Sequence, residues 1–308
     1  MSTSTVIVFG PTGAVGSVVA RTAAGLGVKV ILAMRDTNKK ILDLDENSGT
    51  FERVQADLTK SDTVVEAVKS TGAKAAFIYL AMTSLDGMRS TAEALKTAGI
   101  ERVVFLSSFT VRGDLAAIKP TELIPYAHAR VDMNLEEIFG AENVMSVRPG
   151  AFASNSLQYL GAIQTGTVKV LNPSGTLDCI TPGDIGGVAG TLLVNGSKDG
   201  DRQFYLYGPN MVSQGDTVRL LAKALGQEAD IQEATEEEAY IHLIEDLKMP
   251  QPMAKYVLSQ QSPRHDEDDH VFGYSTLDKE KSMVEKYLER KGETYEQWVA
   301  QKAKHLGA

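Results

Sequence analysis

The chain has 308 residues, enough for one large domain or two modest ones with a substantial buried core. Hydrophobic residues make up 43% and charged residues 23%, a balance that excludes a disordered chain. The formal net charge of −9, with no Lys/Arg run, argues against nucleic acid as a partner, because phosphates would be repelled.

The first predicted element is a strand at residues 5–9, a short apolar run rich in β-branched side chains. It starts so near the beginning that no room is left for a signal or transit peptide. Gly10, Gly13 and Gly16 follow at once and lead into an apolar helical run at 15–25. Gly-x-x-Gly-x-x-Gly between a strand and a helix is the pattern of a dinucleotide turn. Gly10 lets the chain turn off the strand, Gly13 lets backbone approach a pyrophosphate, and Gly16 lets the helix pack close to the sheet. The helix start around Ala14 then offers free N–H groups and a positive dipole end to phosphates.

A second strand at 28–34 runs into Arg35 and Asp36, where such folds meet the adenosine ribose. A carboxylate there suits the ribose hydroxyls of NAD, and a guanidinium suits the extra phosphate of NADP. Arg35 comes first, with Asn38, Lys39 and Lys40 behind it, and this cationic group favours NADP. Asp36 speaks for the other cofactor unless it caps the next helix. The third strand, 51–56, ends at Asp57, which can contact the adenine amino group or cap the helix that opens at 59–62. The fourth, 74–82, is apolar throughout, and its apolar run is far too short to cross a bilayer. Ala81, Met82 and Thr83 stand at its carboxyl end, where a bound dinucleotide would pass. A helix at 85–98 and a fifth strand at 100–106 follow, ending in Ser107 and Ser108.

Strands and helices alternate throughout this half, which predicts an α/β fold with a doubly wound, Rossmann-type parallel sheet. A helix at 126–139 and a sixth strand at 144–147 complete the regular part. Beyond them, residues 184–193 read as a returning helix with Asp184 as its N-cap, and 202–207 as one more strand. Helices at 216–225, 235–247, 252–261, 282–290 and 294–305 predict a small, mostly helical C-terminal lobe, its last helix packed down by Trp298. The expected division is residues 1–155, completed by about 178–207, for the dinucleotide domain, and 156–177 with 208–308 for the lobe.

The segments VFGPTGAVGSVVA, AMRD, QADL, VVFLSSF, HARVDMNLEEI, SVRPGAFASN, TPGDIGGVAGTLL and YEQWVAQKA span nearly the whole chain. On these the sequence resembles the NmrA-like family, atypical short-chain dehydrogenase/reductases similar to isoflavone reductases. The resemblance implies NADP(H) held by Gly10, Thr12, Gly13, Val15, Gly16 and Arg35, with contacts from Asp57, Leu58 and Met82 and from the 152–155 loop with Phe152, Ser154 and Asn155. It also implies a divided family. Some members reduce small carbonyl, enone or quinone-like substrates; others bind the dinucleotide and regulate a partner without turnover.

Short-chain dehydrogenases use Tyr-x-x-x-Lys, in which Lys lowers the tyrosine pKa and holds the nicotinamide ribose. Here alignment puts His128 at the aromatic position and Asp132 at the lysine position, and 126–139 contains no lysine. Tyr126 and Arg130 share the four-residue spacing, so Arg130 can replace the cation in binding but not as a proton shuttle. His128 and Asp132 also lie one helical turn apart, and a hydrogen bond between them would raise the histidine pKa and make an acid/base pair. The plainer alternative is a surface ion pair. Ser107 or Ser108 can hold a substrate carbonyl oxygen, or cap the loop at Phe109.

Other features read as structure. The HDEDDH stretch at 265–270 lacks metal-ligand spacing and is expected to be a solvated acidic loop, so no metal is expected. Glu236 to Glu238 suit a helix dipole, Tyr159 and Tyr256 suit helix packing, and Cys179 reads as a buried thiol. A lone cysteine also fits a reducing compartment. The expectation is a cytoplasmic NADPH-dependent reductase of a small organic carbonyl, enone or quinone-like molecule, a monomer or homodimer with no nucleic-acid or membrane partner. The alternatives are a redox-sensing regulator that contacts another protein, and a redox-neutral isomerase or cyclase on the same fold.

Overall fold

The computed structural model describes residues 5–41, 44–46, 49–261 and 282–306. In chain order the strands are β1 (Thr5–Phe9), β2 (Lys29–Met34), β3 (Phe51–Gln55), β4 (Ala75–Tyr79), β5 (Arg102–Leu106) and β6 (Val144–Pro149). They continue with β7 (Thr167–Val170), β8 (Thr176–Leu177), β9 (Gln203–Leu206), β10 (Val212–Ser213) and β11 (Asp230–Glu233). The helices are α1 (Ala14–Gly25), α2 (Ser61–Thr71), α3 (Arg89–Ala98), α4 (Leu123–Phe139), α5 (Leu160–Thr165) and α6 (Pro182–Asn195). After these come α7 (Gln214–Ala224), α8 (Glu236–Ile241), α9 (Gln251–Gln261), α10 (Ser282–Leu288) and α11 (Tyr295–Leu306).

Seven strands form one sheet in the order β3-β2-β1-β4-β5-β6-β9, with every pair parallel. Its central strands carry Val, Ile, Leu, Ala and Phe on both faces because helices cover both faces. On one side α2, α3 and α4 pack in sequence over Ile7, Phe9, Ile31, Ile78 and Phe105. On the other, α6 lies against α1 and against β4, β5 and β6, and α10 packs on α6. The expected Rossmann-type doubly wound sheet is therefore present. The strand order reverses between β1 and β4, which opens a crevice at their carboxyl ends.

Three local expectations are corrected. Among the described residues between β2 and β3 there is no α-helix for Asp36 to cap; its carboxylate instead accepts the Asn38 N–H at 3.0 Å within a turn. α3 begins at Arg89 rather than 85, because Gly87 and Met88 take φ of 62° and 58°. Asp86 accepts the Ser90 N–H and Ser84 accepts the Met88 N–H, which fixes that entry. Asp184 sits inside the first turn of α6 rather than at its cap, because Pro182 already occupies the helix start.

The chain divides into two compact units. The first runs to Pro149 and adds Pro182–Leu206 and Ser282–Arg290, so α10 belongs with the sheet. The second holds Gly150–Thr181, the described residues from Tyr207 on to Gln261, and those from Lys291 on. In it β7 pairs with β11 and β8 with β10, as two small ribbons among α5, α7, α8, α9 and α11. Val168, Val170, Val218, Leu221, Tyr295 and Trp298 form its core, so Trp298 does pack the last helix down. Among the described residues no helix is long and apolar enough to cross a membrane.

Candidate dinucleotide cleft

A cleft of about 250 Å³ opens at the carboxyl ends of β1, β2, β3 and β4. Phe9, Gly10 and Thr12 line it from β1, Arg35 from β2, Asp57, Leu58 and Thr59 from β3, and Tyr79, Ala81, Met82 and Thr83 from β4. All of these lie in the first unit.

The glycine turn has the geometry its spacing predicts. Gly10 takes φ +70°, a region that L side chains rarely adopt, and the Tyr79 ring lies against it. Gly13 is extended at φ −82° and ψ 159° and stands at the N-cap of α1 without a side-chain cap. A Cβ on Gly16 would come within 2.2 Å of the Gly10 carbonyl oxygen, so Gly16 lets α1 pack on the turn itself rather than on the sheet. A Cβ on Gly13 would meet only that same oxygen, at 3.4 Å, an ordinary contact. Packing therefore does not demand glycine at position 13. Val15 is buried, so only its backbone can face a ligand, whereas Thr12, Gly13 and Ala14 are exposed. The first turn of α1 carries no acidic residue, and its leading N–H groups have no intrahelical acceptor.

At the next strand end Arg35 is exposed, and among the described residues it has no carboxylate within salt-bridge distance. Asp57 is half-buried, and its Oδ1 accepts both the Thr59 N–H (3.0 Å) and the Thr59 hydroxyl (2.8 Å). These bonds hold its carboxyl below the ordinary range, and the positive charges of Arg35 and Lys60 add to the effect. The expected helix cap is therefore corrected: α2 starts at Ser61 behind Lys60 with no side-chain cap. Asp57 instead closes a turn at Thr59, with no hydrogen bond to its Oδ2 among the described residues. At the end of β4, the Ala81 N–H points inward to the Met88 Sδ at 3.3 Å, while Met82 is largely exposed. Tyr79, which sequence reasoning passed over, interrupts the apolar strand with a polar-tipped ring at its cleft end; that interruption was its available signal.

The candidate catalytic set on α4 is arranged differently from expectation. Asp132 is wholly buried and does not pair with His128. The Arg148 Nη2 donates to Asp132 Oδ2 at 3.0 Å, the Ser107 hydroxyl donates to the same oxygen at 3.1 Å, and the Ser146 hydroxyl donates to Oδ1. Burial raises the Asp132 carboxyl above its ordinary pKa, and Arg148 with the two serines opposes that rise. Arg148 also donates to the Val111 carbonyl, Gln203 and Tyr205. This network joins β5, α4, β6 and β9, and it uses up Ser107 as well. Ser108 shares a 2.8 Å hydrogen bond with Thr110, so it serves its own loop.

His128 Nδ1 lies 2.9 Å from the Ile124 carbonyl, which can only accept, so the proton sits on Nδ1 and Nε2 is left as an acceptor. Burial lowers the His128 pKa; the Ile124 bond opposes this and the charge of Arg148 reinforces it. The raised pKa expected from an Asp132 partner is therefore corrected to a lowered one. Tyr126 is half-buried with no side-chain hydrogen bond among the described residues, and Arg130 is exposed one turn further on.

In the second unit, Phe152 precedes a 3₁₀ helix, Ala153–Tyr159, that contains Ser154 and Asn155; the Ala153 N–H donates to the Ile180 carbonyl. Asp178 accepts the N–H groups of Ala151 (2.8 Å) and Gly208 (3.0 Å) from full burial. Cys179 is buried, and burial pushes its thiol up, so it is inert as a nucleophile. Glu236, Glu237 and Glu238 open α8 behind a Thr235–Glu238 capping box. Tyr159 stacks on His242, and Tyr256 lies on α9. Among the described residues no metal-binding cluster exists; the 265–270 stretch lies outside them.

The model of the NmrA-like family matches residues 2–299. The chain is 35% identical over 319 aligned positions to the nitrogen metabolite regulation-like protein bik4 of Gibberella fujikuroi, covering 96% of this chain and 95% of that one. It is 26% identical to a (4-alkanoyl-5-oxo-2,5-dihydrofuran-3-yl)methyl phosphate reductase of Streptomyces griseus, over 82% of this chain and 84% of that one. Among solved structures, an NADPH-dependent quinone oxidoreductase from Escherichia coli, complexed with NADPH, superposes with a TM-score of 0.66 at 16% identity, covering 98% of this chain and 100% of that one. With the glycine turn, the crevice and a family match along almost its whole length, this chain belongs to the NmrA-like family.

Proposed function

We propose that the protein binds NADP(H) in the cleft at the ends of β1 to β4 and is an NADPH-dependent reductase of a small organic carbonyl, enone or quinone-like molecule. The observation that carries this reading is Arg35, an exposed guanidinium with no carboxylate partner among the described residues, beside a bare helix N-terminus. The residues present suit the cofactor. The leading N–H groups of α1 meet the pyrophosphate, Arg35 clasps the adenosine 2′-phosphate, and the open Asp57 Oδ2 accepts from the adenine amino group. When bound, the nicotinamide supplies hydride chemistry. Tyr126 is the candidate O–H donor of α4, and His128 Nε2 is a candidate acceptor that orients a hydroxyl without giving up a proton at neutral pH. The reductase name of the Streptomyces relative supports the reaction class.

Calorimetry at physiological salt tests this. Wild type is expected to take up NADPH more tightly than NADH. Arg35→Ala is expected to lose about 10- to 100-fold in NADPH affinity, as a charge-assisted phosphate contact of about 1.5–3 kcal/mol requires, with little change for NADH. No uptake of NADPH overturns the reading.

One observation favours a second reading, a dinucleotide-sensing regulator without turnover. The position that aligns with the dehydrogenase lysine holds Asp132, which is locked in a buried pair with Arg148. Steady NADPH consumption with quinone or enone substrates decides against it.

A further inference from the structure

Between β2 and β3 the chain runs 16 residues, 35–50, with no α-helix among those described. A loop of that length has much conformational freedom to lose on ordering. Its first residue is Arg35, so the loop's position decides where that guanidinium lies. Two side chains of the neighbouring strand hold it. In the β2–β3 register Leu32 faces Arg53 and Met34 faces Gln55, so Arg53 and Gln55 are two apart on one face, level with the end of β2.

Gln55 Nε2 donates to the carbonyl of Arg35 itself at 3.1 Å. Arg53 Nη1 donates to the Thr37 and Lys39 carbonyls, the latter at 3.0 Å. The other edge of the same guanidinium clasps Glu46 in two parallel bonds, Nε to Oε2 at 2.6 Å and Nη2 to Oε1 at 2.5 Å. One planar fork thus ties both halves of the loop to β3. Lysine has no second edge with which to do this. Both partners are only about 27–28% exposed, unlike the neighbouring Lys29–Glu52 pair at 48% and 47%, so this pair is less screened than an ordinary surface bridge.

We infer that Arg53, which does not line the cleft, is a positioning residue for cofactor choice: with Glu46 and Gln55 it presets the backbone that presents Arg35 to the adenosine 2′-phosphate. The inference rests on the Arg35 reading above. A preset loop spares the ordering cost that binding would otherwise bear, and only the phosphorylated cofactor draws on it. NADH makes no use of Arg35 and is indifferent to where the loop lies.

The test is titration of wild type, Arg53→Met, Arg53→Lys and Glu46→Gln with NADPH and NADH, alongside thermal melts. Arg53→Met is expected to weaken NADPH by about tenfold and NADH by less than about twofold. Arg53→Lys should recover part of the loss, because one amine reaches either the carbonyls or the carboxylate but not both. Glu46→Gln should fall between wild type and Arg53→Met. A merely structural role would lower both affinities in parallel with the melting temperature, and that result overturns the inference. So does an unchanged NADPH/NADH ratio in Arg53→Met while wild type keeps its preference. A wild type that prefers neither cofactor overturns the Arg35 reading itself, a distinct result.

Discussion

Two strand ends in the first unit use their polar groups in opposite ways. At the end of β1 there is almost nothing but backbone: Gly10, Gly13 and the uncapped start of α1, with no carboxylate in the first turn. At the end of β5, Ser107 is drawn into Asp132, Asp132 into Arg148 and Ser146, and Arg148 into Tyr205 and the Val111 carbonyl. At the first end Gly10 and Gly13 spend their N–H groups on the Ala33 and Gly10 carbonyls, but the leading N–H groups of α1 stay without an intrahelical acceptor. The second end spends nearly all of its donors inside the fold. A ligand can only use what folding has not used. The β1 end therefore keeps backbone donors that a ligand can use, and Ser107 and Asp132, candidate catalytic residues by type and spacing, are buried in the fold's own network.

The largest effect is expected where the spent network is broken. Asp132→Ala leaves the Arg148 guanidinium buried without a counter-charge, which costs about 3–5 kcal/mol of stability. Urea denaturation measures it. Replacing both partners together, Asp132→Leu with Arg148→Met, is expected to recover most of the loss, because burying a charge pair gains little over well-packed apolar groups. NADPH affinity of the folded protein should be nearly unchanged in both variants. Less than about 1 kcal/mol of destabilisation would free Asp132 for a role in chemistry.

A smaller effect is expected at the other end, and it separates two glycines that look alike in sequence. Ala at Gly16 must collide with the Gly10 carbonyl, so Gly16→Ala disturbs the turn whether or not a ligand is present. Ala at Gly13 fits both the backbone angles and the space. Gly13→Ala is thus expected to melt near the wild-type temperature and yet lose about tenfold in NADPH affinity, about 1.4 kcal/mol, because its methyl occupies the approach of the pyrophosphate. Calorimetry paired with a thermal melt reads both quantities. Full affinity in Gly13→Ala would place the pyrophosphate elsewhere.

The same contrast explains what the sequence revealed. Residues 5–34 were legible as strand, turn, helix and strand because each is local: what forms it lies within a few positions of its neighbours. The alternation of apolar strands and helices was enough for the parallel sheet. Asp132 was misjudged because its partners, Ser107, Ser146 and Arg148, come from β6 and the end of β5, and spacing along α4 says nothing of them. That the described residues after β2 form no α-helix was hidden for the same reason, since Arg53 bonds the Thr37 and Lys39 carbonyls from another strand. Short-range geometry can be read from residue order; a polar group's final partner is set by tertiary packing.

The smallest effect is a pH dependence whose sign tells the two arrangements of α4 apart. His128 is held below the ordinary value of 6.5 by burial and by Arg148. The unfolded chain then binds the proton more tightly than the folded one, so its contribution to stability is complete above pH 6.5 and is lost as pH falls from there toward the folded value. A histidine bonded to Asp132 would behave in the opposite way, with a raised pKa and a stability gain on acidification through the same range. Asp132, whose carboxyl is raised by burial, is common to wild type and His128→Gln, so the difference between the two reports the histidine. Asp86 is pulled down to about 2 because hydrogen bonds from Ser84 and Ser90 outweigh its partial burial, and it stays charged throughout. Melting temperatures from about pH 7.5 to about pH 5.5 should therefore fall more in wild type than in His128→Gln, whose amide still donates to the Ile124 carbonyl but cannot titrate. A wild type that gains stability relative to His128→Gln on acidification would mean that His128 meets a negative charge in solution, and would restore it as the proton donor of α4.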